Sequence, residues 1–302
     1  MFRYLFLYFI LLLSILKADF NTTLLDEYYN SLCQILVDSS NSVDDYFIDA
    51  NSTEQSKTEA ELKSSFAIES GRKSEYAMRL RVRLNLPKLQ KKFRLIFEDE
   101  DSDDIFYDGT SLNNQYKMEK KNYFLRLDFF NEVIKKVDLT SGIGVKFRKL
   151  TLYPYFNLKA RYILEDKNAV ASNRFRLYSN GDFEDTLNLN KMQYFSSSVY
   201  LFYRNFFRYR SWTYNSSIVN SISATKILSD KKELSLGVSL TSELDVLKSY
   251  IRYEQLYIAY RDLLYKNWVY YELSPSILWR EENGYERSYR FMFNIGVKFK
   301  KY

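Results

Sequence analysis

The segment Tyr76–Leu86 places the tightest limit on what this chain can fold into: Met78, Leu80, Val82, Leu84 and Leu86 alternate with Arg79, Arg81 and Arg83. A period of two sends successive side chains to opposite faces of a strand, so one face is apolar and the other cationic. A soluble sandwich shows the same alternation, with one face buried and one wet. Length separates the two cases. Soluble strands run to about 5–6 residues, whereas strands that span a bilayer need about 9–11, and here the alternation is long and recurs down the chain.

Val137, Leu139, Ile143, Val145 and Phe147 alternate with Asp138, Thr140, Gly144 and Lys146. Phe156, Leu158, Ala160 and Tyr162 alternate with Asn157, Lys159 and Arg161, and Leu234, Leu236, Val238 and Leu240 with Ser235, Gly237 and Ser239. Near the end, Phe291, Phe293, Ile295, Val297 and Phe299 alternate with Arg290, Asn294, Lys298 and Lys300. Fourteen such segments begin near Ser64, Tyr76, Lys92, Asn122, Val137, Leu152, Asn173, Asp185, Ser197, Trp212, Lys232, Ser249, Asn267 and Ser288. Ser64–Ser70 and Asp185–Lys191 alternate least clearly, and losing both leaves twelve. Bacterial single-chain barrels have an even number of strands, so either count is admissible. The expected fold is all-β: a transmembrane antiparallel β-barrel of about 14 strands, 12 being possible, with a short N-terminal periplasmic helix.

Composition agrees. The chain has 302 residues with 28 Tyr and 23 Phe but only 3 Pro, a mixture suited to pleated surfaces and to aromatic girdles at membrane interfaces. Its mean hydropathy of −0.39 excludes a bundle of apolar helices. There is no histidine and one cysteine, Cys33. Imidazole bases, histidine-ligated metals and intrachain disulfides are therefore out of reach.

The first 18 residues read as a secretory signal: Arg3, an apolar run from Leu5 to Leu13, then Leu16 and Ala18 placed for cleavage after Ala18. Residues 19–62 form a periplasmic lead segment. Leu24, Leu25, Tyr28, Tyr29, Leu32, Ile35 and Leu36 recur at helical spacing, and Asn51–Glu61 is a polar linker. The barrel takes residues 63–302. With the amino end in the periplasm, odd-numbered connections face outward. The longest connection, Asp99–Lys121, is one of these, while Pro87–Lys91 and Ser229–Lys231 are short and periplasmic. Both termini are then periplasmic, in the outer membrane of a Gram-negative bacterium. The terminal Tyr302 suits recognition by the barrel-assembly machinery, although it falls out of phase with the apolar face that ends at Phe299.

Two blocks carry a resemblance. Arg79-Leu80-Arg81-Val82-Arg83-Leu84-Asn85-Leu86-Pro87 leads into Phe93-Arg94-Leu95-Ile96-Phe97-Glu98, and Asn267-Trp268-Val269-Tyr270-Tyr271-Glu272-Leu273-Ser274-Pro275 is followed by Leu278-Trp279. In these the chain resembles an uncharacterised family of proteobacterial outer-membrane β-barrel proteins, in order over most of residues 60–302. The resemblance implies the fold and the location, and it assigns no activity.

Candidate functional residues fall in three groups. The positions opposite the apolar face are rich in cations: Arg79, Arg81, Arg83, Arg94, Arg126, Lys146, Arg161, Arg174, Arg176, Arg204 and Arg208. Rings of such groups favour anions in pores; alternatively they pair across the barrel with Asp128, Asp138, Glu98 and Glu272 and fill it. Glu98, Asp99, Glu100, Asp101, Asp103 and Asp104 form an acidic surface loop without the spacing of a calcium loop. Asn21 and Asn51 each head an Asn-x-Thr/Ser sequon with an acid two residues before, the pattern of bacterial periplasmic glycosylation. No metal, cofactor or nucleic-acid partner is expected, and no enzymatic activity. The expected partners are outer-membrane lipid and lipopolysaccharide. Three roles remain: a small-solute pore, a non-conducting structural or surface-interaction barrel, and a hydrophobic-ligand transporter plugged by the Leu24–Leu36 helix.

Overall fold

The computed structural model describes residues 22–47, 58–86, 93–99, 123–134, 136–148, 151–164, 168–245 and 248–301. Helix α1 (Thr22–Phe47) precedes β1 (Thr58–Glu69), β2 (Glu75–Leu86), β3 (Phe93–Asp99), β4 (Tyr123–Ile134), β5 (Val137–Arg148), β6 (Thr151–Ile163) and β7 (Ala169–Tyr178). Then follow β8 (Phe183–Tyr194), β9 (Val199–Arg210), β10 (Asn215–Ser229), β11 (Lys232–Leu244), β12 (Ser249–Tyr265), β13 (Val269–Arg280) and β14 (Arg287–Lys301). Each strand pairs antiparallel with the next, and β14 returns to β1 to close the barrel. The closing seam runs in unbroken register from Thr58↔Lys301 to Glu69↔Arg290.

Both weakly patterned strands are present, so the count is fourteen rather than twelve. β1 begins at Thr58, six residues before Ser64, and takes Thr58–Glu61 from the expected linker. Its alternation is faint in sequence because Ala60 and Ser64 on the outer face and Ser65 and Ala67 on the inner face differ little in polarity. In β8 the outward Asp185 breaks the pattern; Asn173 of β7 donates to its carboxylate at 2.8 Å.

The barrel is inside-out relative to a soluble domain. Met78, Ile143, Leu158, Leu236, Val238 and Ile258 point outward and are exposed. The alternating positions beside them, such as Asn157, Ser235, Ser239 and Ala259, are buried inward. Lipid is the solvent that suits such an outer face. It offers no hydrogen bonds, so a closed ladder is what lets these backbones cross it. No helix among the described residues is long and apolar enough to span a membrane.

Three inward glycines sit opposite tyrosines: Gly144↔Tyr155, Gly237↔Tyr257 and Gly296↔Tyr270. Each ring lies over its glycine, filling space that a side chain would take. The Tyr270 hydroxyl continues past Gly296 and donates to Glu61 at 2.8 Å, so a β13 side chain crosses β14 to grip β1 over the seam.

Helix α1 lies on the outer wall at the end that carries the termini. The Tyr29 ring stacks on Trp268 (4.5 Å) and Phe299 (5.8 Å), and the Lys266 ammonium donates to Asp26 at 2.6 Å. That hydrogen bond holds the Asp26 carboxyl below its ordinary range. Phe299 belongs to the outward phase of β14, and the helix also contacts β1 and β2, whose outward Thr58, Ala60 and Leu84 are buried. A plug would cover the inner residues at this end; instead Glu59, inward on β1, keeps 41% of its side chain exposed. The plug arrangement is therefore not the one adopted. The helix also runs eleven residues past Leu36, through a stretch whose polar residues hid it in the sequence.

A Cβ at residue 296 would stand 2.3 Å from Cζ of Tyr270, so Gly296→Ala must displace the ring that braces the seam. The expected loss is about 1–3 kcal/mol, read from the urea midpoint of the barrel in vesicles; an unchanged midpoint would show that the ring is not part of closure.

Candidate functional site within the barrel lumen

All ten arginines expected to face the lumen lie on the inner phase of their strands: Arg79, Arg81 and Arg83 on β2, Arg94 on β3, Arg126 on β4, Arg161 on β6, Arg174 and Arg176 on β7, and Arg204 and Arg208 on β9. They do not form one ring. Arg126, Arg174, Arg176 and Arg204 are buried at 0–3% exposure, Arg79, Arg81, Arg83, Arg94 and Arg208 are half-buried, and Arg161 is exposed near the termini-bearing end.

Burying a guanidinium costs several kcal/mol unless a carboxylate and further hydrogen bonds compensate. The compensation is organised around three carboxylates at the end opposite the termini. Glu69 accepts two bonds from Arg280, one from Arg290 and one from Ser288, all at 2.9 Å. Arg290 also reaches Glu75 at 2.9 Å, which ties β14 to β2 across β1. Glu184 accepts from Arg176 at 3.2 Å and from Arg210 at 2.9 Å. Glu243 pairs with Arg252 and accepts from Tyr250 at 2.9 Å. Each carboxylate sits near the end of a strand, where neighbouring strands bring their own terminal arginines to the same height.

An aromatic ladder lines the same end. Phe124, Tyr155, Tyr178 and Trp212 follow one another edge to face or tilted, at centroid spacings of 6.1, 5.7 and 5.5 Å. The Lys146 ammonium stands 5.4, 5.2 and 5.1 Å from the Phe124, Tyr178 and Trp212 rings, and the Arg176 guanidinium 4.7 Å from Phe124. Ring quadrupoles thus share in holding cations where water is excluded. Deeper in, Arg126 forms an ion pair with Asp128 at 2.8 Å, Arg204 and Arg208 stack over Phe206, and Glu272 accepts from Asn294 at 3.0 Å.

For Arg126, Asp128 and Glu272 the pairing runs along the wall rather than across the barrel. Arg126 meets Asp128 two residues along its own strand, and Glu272 meets Asn294 on the adjacent strand. The reason is reach: strand neighbours are about 5 Å apart, whereas the far wall lies beyond a side chain's length. Sequence reasoning did not single out Glu69, Glu184 or Arg280. The available signal was phase, since each is in step with the inner face of its strand. Glu98 and Asp99 close β3, opposite Phe124 and Tyr123 of β4. Glu100, Asp101, Asp103 and Asp104 lie outside the described residues, as do Asn21, Asn51 and the signal segment.

The closed ladder, apolar outer wall and charged inner wall define a transmembrane β-barrel of the outer-membrane, porin-like class. No protein-family model matches the chain, and no curated protein matches it in sequence. Similar solved structures include the outer membrane channel DcaP of Acinetobacter baumannii, at 10% identity over 81% of this chain and 96% of that one, with a TM-score of 0.48. Others are OmpT, an outer membrane protein of Vibrio cholerae (8% identity, 83% and 100% covered, TM-score 0.46), and OprD of Pseudomonas aeruginosa (8%, 82% and 96%, TM-score 0.44).

Glu69→Gln takes from buried Arg280 the carboxylate that it grips at both oxygens, leaves buried Arg290 with Glu75 alone, and should cost about 3–5 kcal/mol. Glu281→Ala removes an exposed partner of Lys248 and should stay within about 1 kcal/mol. Urea midpoints of both variants check the contrast, and equal effects would mean that the Glu69 cluster does not stabilise the barrel.

Proposed function

We propose that the protein is an outer-membrane channel for small polar solutes that favours anions. The observation that carries this reading is the inner wall: from Arg161 at one end to Arg210 at the other, cations outnumber carboxylates among the described inward positions. A wall of fixed positive charge raises the local concentration of anions and repels cations. The short connections, such as 230–231, and both termini are assigned to the periplasm, and the long 100–122 connection to the outside. The host is read as Gram-negative, the family as the proteobacterial barrels that Arg79–Glu98 and Asn267–Trp279 resemble, and the partners as lipid, lipopolysaccharide and the assembly machinery. The reading is not enzymatic: a chain without histidine lacks the usual base near neutral pH.

One observation favours a second reading. Arg174, Arg176 and Arg204 have at most 1% of their surface accessible, so at their heights the lumen is packed with side chains. A barrel filled in this way at every height would be a structural or surface-interaction element and would not conduct.

Single-channel recording in a planar bilayer decides between them. The pore reading expects discrete steps, with a reversal potential in a salt gradient on the anion side. Arg79, Arg81 and Arg83, half-buried on one strand, should carry much of that preference, so the triple Arg→Gln variant should move the reversal potential toward zero. A folded barrel that never opens would overturn the pore in favour of the filled barrel.

A further inference from the structure

Helix α1 presents three faces, not two. Asp26, Tyr29, Cys33 and Ser40 turn to the barrel wall, with Cys33 and Ser40 at 3% and 0% exposure. About a third of a turn to one side run Tyr28, Leu32 and Ile35, spaced i, i+4, i+7 and exposed at 68%, 44% and 58%. About a third of a turn to the other side lie Glu27, Gln34 and Asp38, all exposed, with Gln34 donating to Asp38 at 2.7 Å. A helix that met only water on its free side would have no reason to segregate these two sets.

Handedness decides which set faces the membrane belt. The Ser70 amide, in the outward phase of β1, bonds the Tyr289 carbonyl of β14. For L-residues, this puts β14 to the right of β1, and β2 to the left, for an observer outside the barrel with the termini below. The first turns of α1 meet Trp268 and Phe299 on the right, and the helix then crosses β1 to reach β2 on the left. A right-handed helix laid in that direction, with Cys33 on the wall, carries Leu32 and Ile35 upward and Gln34 and Asp38 downward. Directly above, Leu62 and Leu80 begin the exposed apolar outer wall, one step up their strands from Ala60 and Val82.

We propose that the Tyr28–Leu32–Ile35 stripe extends the barrel's lipid-facing belt, and that α1 is an interfacial helix seated in the acyl–headgroup boundary of the periplasmic leaflet. The occupant of the stripe is phospholipid. Continuity with the belt and the polar face turned away from it identify lipid rather than a protein partner, and amphipathic helices lie in such interfaces by this division of faces. The proposal rests on the barrel crossing the bilayer with its termini on the periplasmic side. It is independent of whether the lumen conducts.

Depth-dependent fluorescence quenching tests it. In a Cys33→Ser background, Ile35→Cys, Asp38→Cys and Met78→Cys are each labelled with bimane, and the full-length protein is reconstituted in phosphatidylcholine vesicles with or without brominated acyl chains. Met78 lies on the exposed belt and reports insertion. The expected result is strong quenching by brominated lipid at residues 35 and 78 with little by aqueous iodide, and the reverse at residue 38. Iodide quenching at residue 35 with lipid quenching at 78 would place the helix in water and overturn the proposal. Protection of residue 35 from both quenchers would also overturn it, in favour of a protein cover such as a second copy. Failure of lipid quenching at residue 78 would instead overturn the membrane-spanning barrel itself.

Discussion

Closure of the backbone hydrogen-bond ladder is the constraint on which everything else in this structure depends. In hydrocarbon an unpaired amide or carbonyl costs several kcal/mol, so a sheet can cross only if its first and last strands find each other. Here the seam joins β1 to β14 over twelve consecutive register positions without a bulge. The side chains over the seam reinforce it. Tyr270 reaches across β14 to Glu61, and Arg290 of β14 reaches Glu75 of β2 across β1. The register shifts, in contrast, lie elsewhere, at β4–β5 and among β10–β13.

Turning the chain inside-out moves the electrostatic difficulty inward. An outer wall of Leu, Ile, Met and aromatic side chains needs only lipid. The inner wall must accommodate fixed charges in a confined space, and it does so by local partnership. Glu69 and Glu184 each collect arginines from neighbouring strands, and the aromatic ladder from Phe124 to Trp212 shelters Lys146 and Arg176. The inward arginines also take up room in the lumen, because a guanidinium held by a carboxylate and a ring occupies space.

The alternation was readable because period-two patterning survives in any strand with one apolar and one polar face. It gave the strand positions to within a few residues for most elements, and it put all ten arginines on the inner phase. It was faint where the two faces are alike, as at Ala60–Ala67 in β1, and where a polar residue faces outward, as at Asp185 in β8. The partners of the arginines were not readable. Which carboxylate a lumen arginine meets depends on the stagger between strands, and stagger leaves no mark in a single strand's sequence.

The division of labour follows from range. Local periodicity determined, from the sequence by itself, that the chain makes long amphipathic strands, that ten arginines share the phase opposite the apolar face, and that a helix precedes the barrel. Those are properties of residues two to four apart. Only the tertiary structure decided that β1 begins at Thr58 and closes on β14, that Glu69 and Glu184 anchor the lumen cations, and that α1 lies on the outer wall rather than in the pore. These depend on contacts between segments as far apart as Glu69 and Arg290. Their energies come from desolvation and from the register of closure, which exist only once the barrel has formed.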